Sequence, residues 1–143
     1  MANVIKLRKG LDINLKGIAA KELVSVKEPG IYSLVPDDFT GVKPKVVVKE
    51  GENVLAGGPL FVDKNHPEVK FVSPVSGVVT SVERGERRKV LNIIVKADEN
   101  QQYVEFGKMN LAELNAEQVK EALMNAGLFA FFRQRPFDVV PDP

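Results

Sequence analysis

The sequence contains no cysteine and no tryptophan, and only one histidine, His66, among its 143 residues. Without thiols this segment can form no disulfide, thiolate nucleophile, cysteine-ligated zinc site or iron–sulfur cluster. That absence fits a reducing compartment. His66 has no second histidine or cysteine with which to complete a set of three or four metal ligands. It lies beside Pro67 in a polar stretch, where an exposed loop residue is expected. No Ser-His-Asp set can be assembled around it, and neither a Walker motif nor a G-x-G-x-x-G fingerprint is present. No catalytic residue and no metal site are therefore expected here. No apolar run reaches the roughly 18 residues of a membrane span, and no signal-peptide pattern follows Met1. The chain is thus expected neither to cross a membrane nor to be exported by a leader. An excess of one charge is also missing. With 20 basic and 19 acidic residues the net charge is +1, so no broad field draws the chain toward nucleic acid or an anionic membrane.

What is present is ordinary for a globular domain: 44% hydrophobic and 27% charged residues. A chain of this size can bury roughly 68% of its unfolded surface and needs no covalent staple. Its organising feature is a stretch over residues 42–97 that reads as one small β-unit written twice. Val48 aligns with Val82, Gly51 with Gly85 and Glu52 with Glu86. Each copy is a short β-branched run leading into a charged turn with Gly-Glu, and glycine suits such turns because φ > 0 is open to it. Two copies predict interlocked hairpins rather than a solenoid, which needs at least three.

Around this unit the pattern is mostly β. Period-2 alternation marks strands at Val4–Leu7 and onward through Leu11, Ile13 and Leu15. Further strands are expected around Val24 and Val26, over Ile31–Val35, at Phe61-Val62, from Val69 to Phe71, after Pro74 and over Leu91–Val95. The character changes near residue 108. Asn110 with Glu113, and Asn115 with Gln118, have capping-box spacing, and Val119, Leu123 and Ala126 recur at helical spacing before Gly127, a C-terminal stop. Four of the eight phenylalanines follow, at Phe129, Phe131, Phe132 and Phe137. The extended end, Val139-Val140-Pro141-Asp142-Pro143, carries no terminus signal. The expected division is a β-rich domain over residues 1–100, then a linker and the helical start of a second, truncated domain over 101–143.

Three groups of residues are candidates for chemistry or contact. Lys64, in the polar tip Asp63-Lys64-Asn65-His66-Pro67, lies near where a carrier domain would bear biotin or lipoate, but lacks the hydrophobic neighbours of such a lysine. Arg84, Arg87, Arg88 and Lys89, offset by Glu83 and Glu86, read either as a solvated turn or as a salt-sensitive contact to an acidic partner. Phe131, Phe132, Arg133, Arg135 and Phe137 place guanidinium groups beside aromatic rings. That pairing suits planar or anionic ligands and protein interfaces, and clustered phenylalanines also fill cores.

Two local motifs carry a family likeness. Gly51-Glu52-Asn53-Val54-Leu55-Ala56-Gly57-Gly58-Pro59-Leu60-Phe61 and Ser73-Pro74-Val75-Ser76-Gly77-Val78-Val79 resemble the two halves of biotinyl/lipoyl-type modules. Together with the internal repeat they imply a mainly β, α+β chain: a barrel-sandwich hybrid followed by a helical segment opening an α/β domain. Over nearly its full length the chain also resembles the amino-terminal part of the NqrA subunit of the sodium-translocating NADH:quinone reductase. The residues that carry this are Ile5-Lys6-Leu7-Arg8-Lys9-Gly10-Leu11-Asp12, Phe61-Val62-Asp63-Lys64-Asn65, Val69-Lys70-Phe71-Val72-Ser73-Pro74 and Arg133-Gln134-Arg135-Pro136-Phe137. The resemblance implies a peripheral subunit on the cytoplasmic face of a bacterial inner-membrane sodium pump. Its partners would be membrane-embedded subunits of the same pump, with ubiquinone or menaquinone as a ligand and no nucleic acid. NADH, FAD, FMN and iron–sulfur centres would belong to other subunits. Quinone contact would then fall to Phe131, Phe132, Arg133, Arg135 and Phe137. Two alternatives stay open: the C-type electron-input subunit of Rnf complexes, and a biotinyl/lipoyl-like carrier. Against the first, the stretch after the helix has Gly127 as its only glycine, whereas close approach to a pyrophosphate needs several.

Overall fold

Two sheets enclose one core. The computed structural model describes residues 16–143; the strands expected over residues 4–15 lie outside the described residues. The four-stranded sheet has the order β1 (Ile31–Leu34), β7 (Val90–Ala97), β6 (Gly77–Arg84), β3 (Asn53–Val54), and the three-stranded sheet has β2 (Pro44–Val46), β4 (Pro59–Asp63), β5 (Lys70–Val72). Every named pair is antiparallel. This is the mainly β sandwich, with a helix after the strands, that the two motif halves imply.

Burial alternates along the second half of β7, as in a half-buried strand, whereas β4 is buried at consecutive positions from Leu60 to Asp63. Val79, Ile93 and Val95 from one sheet meet Leu60, Phe61 and Phe71 from the other, all fully buried or nearly so. Phe61 and Phe71 stack at 4.3 Å with planes 7° apart, and Phe39 sets its edge on Phe71 at 4.7 Å. Burial of each such ring stabilises the fold by about 1.5–3 kcal/mol.

The doubled unit is interlocked, but only its second copy is a hairpin. In the first copy β2 pairs with β4, and Val47 N–H donates to Leu60 O at 3.1 Å. The chain then turns at Gly51 and enters the other sheet as β3, against β6. Gly51 N–H donates to Val79 O (2.7 Å) and Val79 N–H to Glu52 O (2.9 Å), so the turn of copy one is bonded to the strand of copy two. In the second copy β6 and β7 stay paired within one sheet. Their connecting turn has Glu86 O accepting from Lys89 N–H at 3.1 Å, with Arg87 and Arg88 at φ 53° and 62°. This is a turn of type I′ hand, and each left-handed non-glycine residue in it costs on the order of 1 kcal/mol.

The Ser-Pro-Val-Ser-Gly motif has structural work. Ser73 Oγ donates to Val75 O at 2.6 Å, and Ser76 Oγ accepts from Gln102 N–H at 2.9 Å. Gly77 begins β6 where that strand is flanked by β3 and β7, and a Cβ there would fall on the Lys96 carbonyl. Residues 98–104 return along the barrel, with Ala56 N–H donating to Gln102 O and Val104 N–H to Ala56 O, both at 2.9 Å.

One expected strand is absent. Val24 and Val26 lie outside any strand and are 78% and 80% exposed. β-branched composition favours extended backbone, but a strand also needs a partner edge, and none pairs with it among the described residues.

Candidate functional site

The helix α1 (Ala116–Asn125) begins where its capping residues place it. Asn115 Oδ1 accepts from Gln118 N–H (2.9 Å), and Gln118 Oε1 accepts from Asn115 N–H (3.0 Å), closing a capping box. A short 3-10 turn over Leu111–Glu113 precedes it, capped by Asn110. At the other end Gly127, at φ +71°, donates to Met124 O, and Leu128 N–H donates to Leu123 O. Those two bonds make a Schellman stop. Gly127 is also tight against β5: a Cβ would stand 2.6 Å from Val72 Cγ1. No α1 residue is fully buried; Leu123 and Met124 pack partly against the core, and Val119 and Leu123 also line two grooves.

One groove, of about 580 Å³, lies between α1 and the preceding linker, lined by Phe106, Met109, Leu114, Val119, Leu123 and Leu128. At its rim Lys70 Nζ donates to Asn125 Oδ1 at 2.9 Å. The other, also about 580 Å³, lies between α1 and the aromatic segment, with Phe129, Phe132, Arg133 and Pro141 on its far wall.

The five residues singled out from the sequence separate here. Phe132 and Arg133 line the second groove together. Phe132 is half exposed and tilts against Phe129 at 5.7 Å. Arg133 is committed to the fold. Its guanidinium donates to the carbonyls of Ala130, Phe132 and Asp38 and stands 5.5 Å over the Phe39 ring. Phe131, 66% exposed, sets its edge on Phe39 at 6.2 Å. Arg135 and Phe137 stand outside both grooves; Arg135 faces Asp138 at 3.5 Å, and Phe137 is 79% exposed. Phe129 and Ala130, expected in the opening of a second domain, are buried in the barrel core. The segment closes on itself through Gln134 N–H to Val139 O (2.8 Å) and is tied back by Val140 N–H to Thr40 O (3.0 Å).

Sequence reasoning missed Phe39, which links this segment to the core, and Lys70 at the first groove. Neither had a signal, because each meets its partner across the fold: Lys70 reaches Asn125, 55 positions on, and Phe39 lies under Arg133, far along the chain. At the β4–β5 tip, Asp63 Oδ1 accepts from Lys43 and Asn65 N–H (3.2 and 3.1 Å), leaving Lys64 exposed. His66 is half-buried, between Glu68 at 3.7 Å and Asp142 at 3.3 Å. Among the described residues no group of three or more histidine and carboxylate side chains is placed to hold a metal ion, and no helix is long and apolar enough to cross a membrane.

Comparison with known proteins bears on the same two parts of the chain. Residues 5–98 match the model of the NqrA N-terminal barrel-sandwich hybrid domain, and residues 114–143 that of the NqrA second alpha/beta domain. Among curated relatives, the NqrA subunit of the Na(+)-translocating NADH-quinone reductase of Pseudomonas aeruginosa (strain UCBPP-PA14) is 36% identical over 143 residues, covering 98% of this chain and 32% of the relative. The protein of the same name from Hahella chejuensis (strain KCTC 2396) is 37% identical over 140 residues, covering 96% and 31%. The one from Actinobacillus pleuropneumoniae serotype 5b (strain L20) is 35% identical over 140 residues, again 96% and 31%. The chain thus spans about a third of the length of the curated relatives it matches.

Proposed function

Taking as premise that this chain belongs to the NqrA family, we propose that it serves a Na⁺-translocating NADH-quinone reductase as a peripheral, cytoplasmic-side subunit. Its role is to dock on membrane-embedded subunits, and electron transfer takes place elsewhere in the complex. The observation that carries this reading is the in-order match of two successive family models, together with relatives that bear the complex's name. The exposed rings of the aromatic segment, Phe131, Phe132 and Phe137, support it, since exposed aromatics beside arginine are enriched where proteins meet. Quinone contact belongs to the same segment. Phe131, Phe132 and Phe137 present rings to the headgroup or tail, and Arg135 offers a guanidinium to a carbonyl oxygen. Arg133 shares the groove with Phe132, and three donations from its guanidinium to backbone carbonyls hold the segment in place beneath that contact.

Co-purification of the full-length protein from a membrane extract tests the docking role. Recovery with membrane-embedded, flavin-bearing pump subunits is expected; recovery alone, or with biotin- or lipoate-transferring enzymes, would sink it. For the quinone contact, joint replacement of Phe132 and Arg135 by alanine in the assembled complex is expected to lower quinone reductase activity at least tenfold, the order of one lost aromatic and one lost charged contact. Unchanged activity removes that contact.

A further inference from the structure

The turn between β6 and β7 holds a conformation that its own residues disfavour. Two central positions with φ > 0 normally call for Asn-Gly, Asp-Gly or Gly-Gly. Here they are Arg87 and Arg88, at φ 53° and 62°, both exposed. A strained backbone kept at an exposed tip points to a use for the side chains it displays. The surrounding charges are largely spoken for. Asn92 donates to Glu83 at 2.7 Å, Lys89 pairs with Asp37 at 2.6 Å, and Arg84 reaches the Arg88 carbonyl at 3.4 Å. Among the described residues neither Arg87 nor Arg88 is paired with a carboxylate.

We propose that the β6–β7 tip is a docking element whose Arg87 and Arg88 guanidinium groups engage an acidic protein surface on a neighbouring pump subunit. The proposal rests on the docking role above and names its surface and partner chemistry. The charge pattern selects a protein over a lipid surface. Anionic headgroups reward clusters of about four to eight basic residues, whereas here Glu83 flanks the basic run and Glu86 splits it. A protein surface can match both signs, and guanidinium groups bind its carboxylates bidentately.

The test uses the full-length protein with its pump partners and the double variant R87N/R88G, which removes both charges and installs the residues this turn prefers. The variant is expected to melt about 5 °C higher in the transition of this domain. Its association with the partner subunits should be about tenfold weaker at low ionic strength, the difference fading near about 0.5 M NaCl as screening shortens. R87K/R88K, which keeps the charge, should associate within about threefold of the parent. A higher melting temperature with unchanged association overturns the proposal, as does a variant that melts no higher. So does a variant that keeps its partners but loses retention on phosphatidylserine vesicles. If the unaltered protein recovers no pump partner, the docking role itself fails. If it does and the variant matches it, only this surface is wrong.

Discussion

At Gly51 the chain leaves the three-stranded sheet for the four-stranded one, with φ at +83° and its amide bonded to Val79. At Gly85, the aligned position, φ is −95° and the chain turns back within a single sheet. Both turns are read from the same letters, a β-branched run followed by Gly-Glu. What separates them is where the next strand must go. The first copy hands its two limbs, β2 and β3, to different sheets. The second has β6 and β7 paired already, and the left-handed conformation moves from the glycine to Arg87 and Arg88. A repeat in sequence therefore fixes the composition of a turn, while the pairing partners choose its conformation.

Three sets of substitutions would break or sharpen this contrast. The largest effect is expected at Gly77, where the first copy's β3 and the second copy's β7 flank the same residue of β6. Gly77→Ala would drive a methyl into the Lys96 carbonyl. It should destabilise the domain by about 3 kcal/mol or more, visible as a shifted denaturation midpoint. Next come the aligned glycines. Around Gly51 a Cβ would have nothing within 4 Å, so Gly51→Ala carries a purely conformational cost of about 1–2 kcal/mol. Gly85→Ala needs no left-handed backbone and meets only the flexible Leu91 side chain, at 3.2 Å; a change under about 0.5 kcal/mol is expected. Equal losses at the two sites would mean the turns are conformationally alike after all. The smallest pair is Glu52 and Glu86. Glu52 Oε2 accepts from Lys49 N–H at 2.8 Å in an exposed setting, so Glu52→Ala should cost about 0.5–1 kcal/mol. Glu86→Ala removes no such bond and should be neutral in the same urea titration.

These differences mark how far the sequence could be read. Local chemistry was legible: Asn115 with Gln118 set the helix start and Gly127 its end, because capping is decided within a few residues. The motif halves gave the sandwich, and β1, β4, β5, β6 and β7 fall where apolar runs bounded by turn residues place them. Non-local pairing was not legible. Nothing in residues 42–54 announces that β2 and β3 part company, and Val24 and Val26 have strand composition without a partner edge among the described residues. Of the five site residues, their clustering in sequence was visible but their division of labour was not. Arg133 became a clamp because Phe39 and the Asp38 carbonyl happen to lie beneath it.

The close seat of Gly127 on Val72 also sets an order of events at the ribosome. Among the described residues, the surfaces that receive the helix end and the aromatic turn, Phe39 and Val72 among them, belong to chain that is synthesised earlier. By the time residues 116–140 emerge, the strands that hold them can already be folded, as amino-terminal units commonly are during translation. The helix end then lands against β5, and a gap at Val72 too narrow for a methyl group rejects a misaligned arrival.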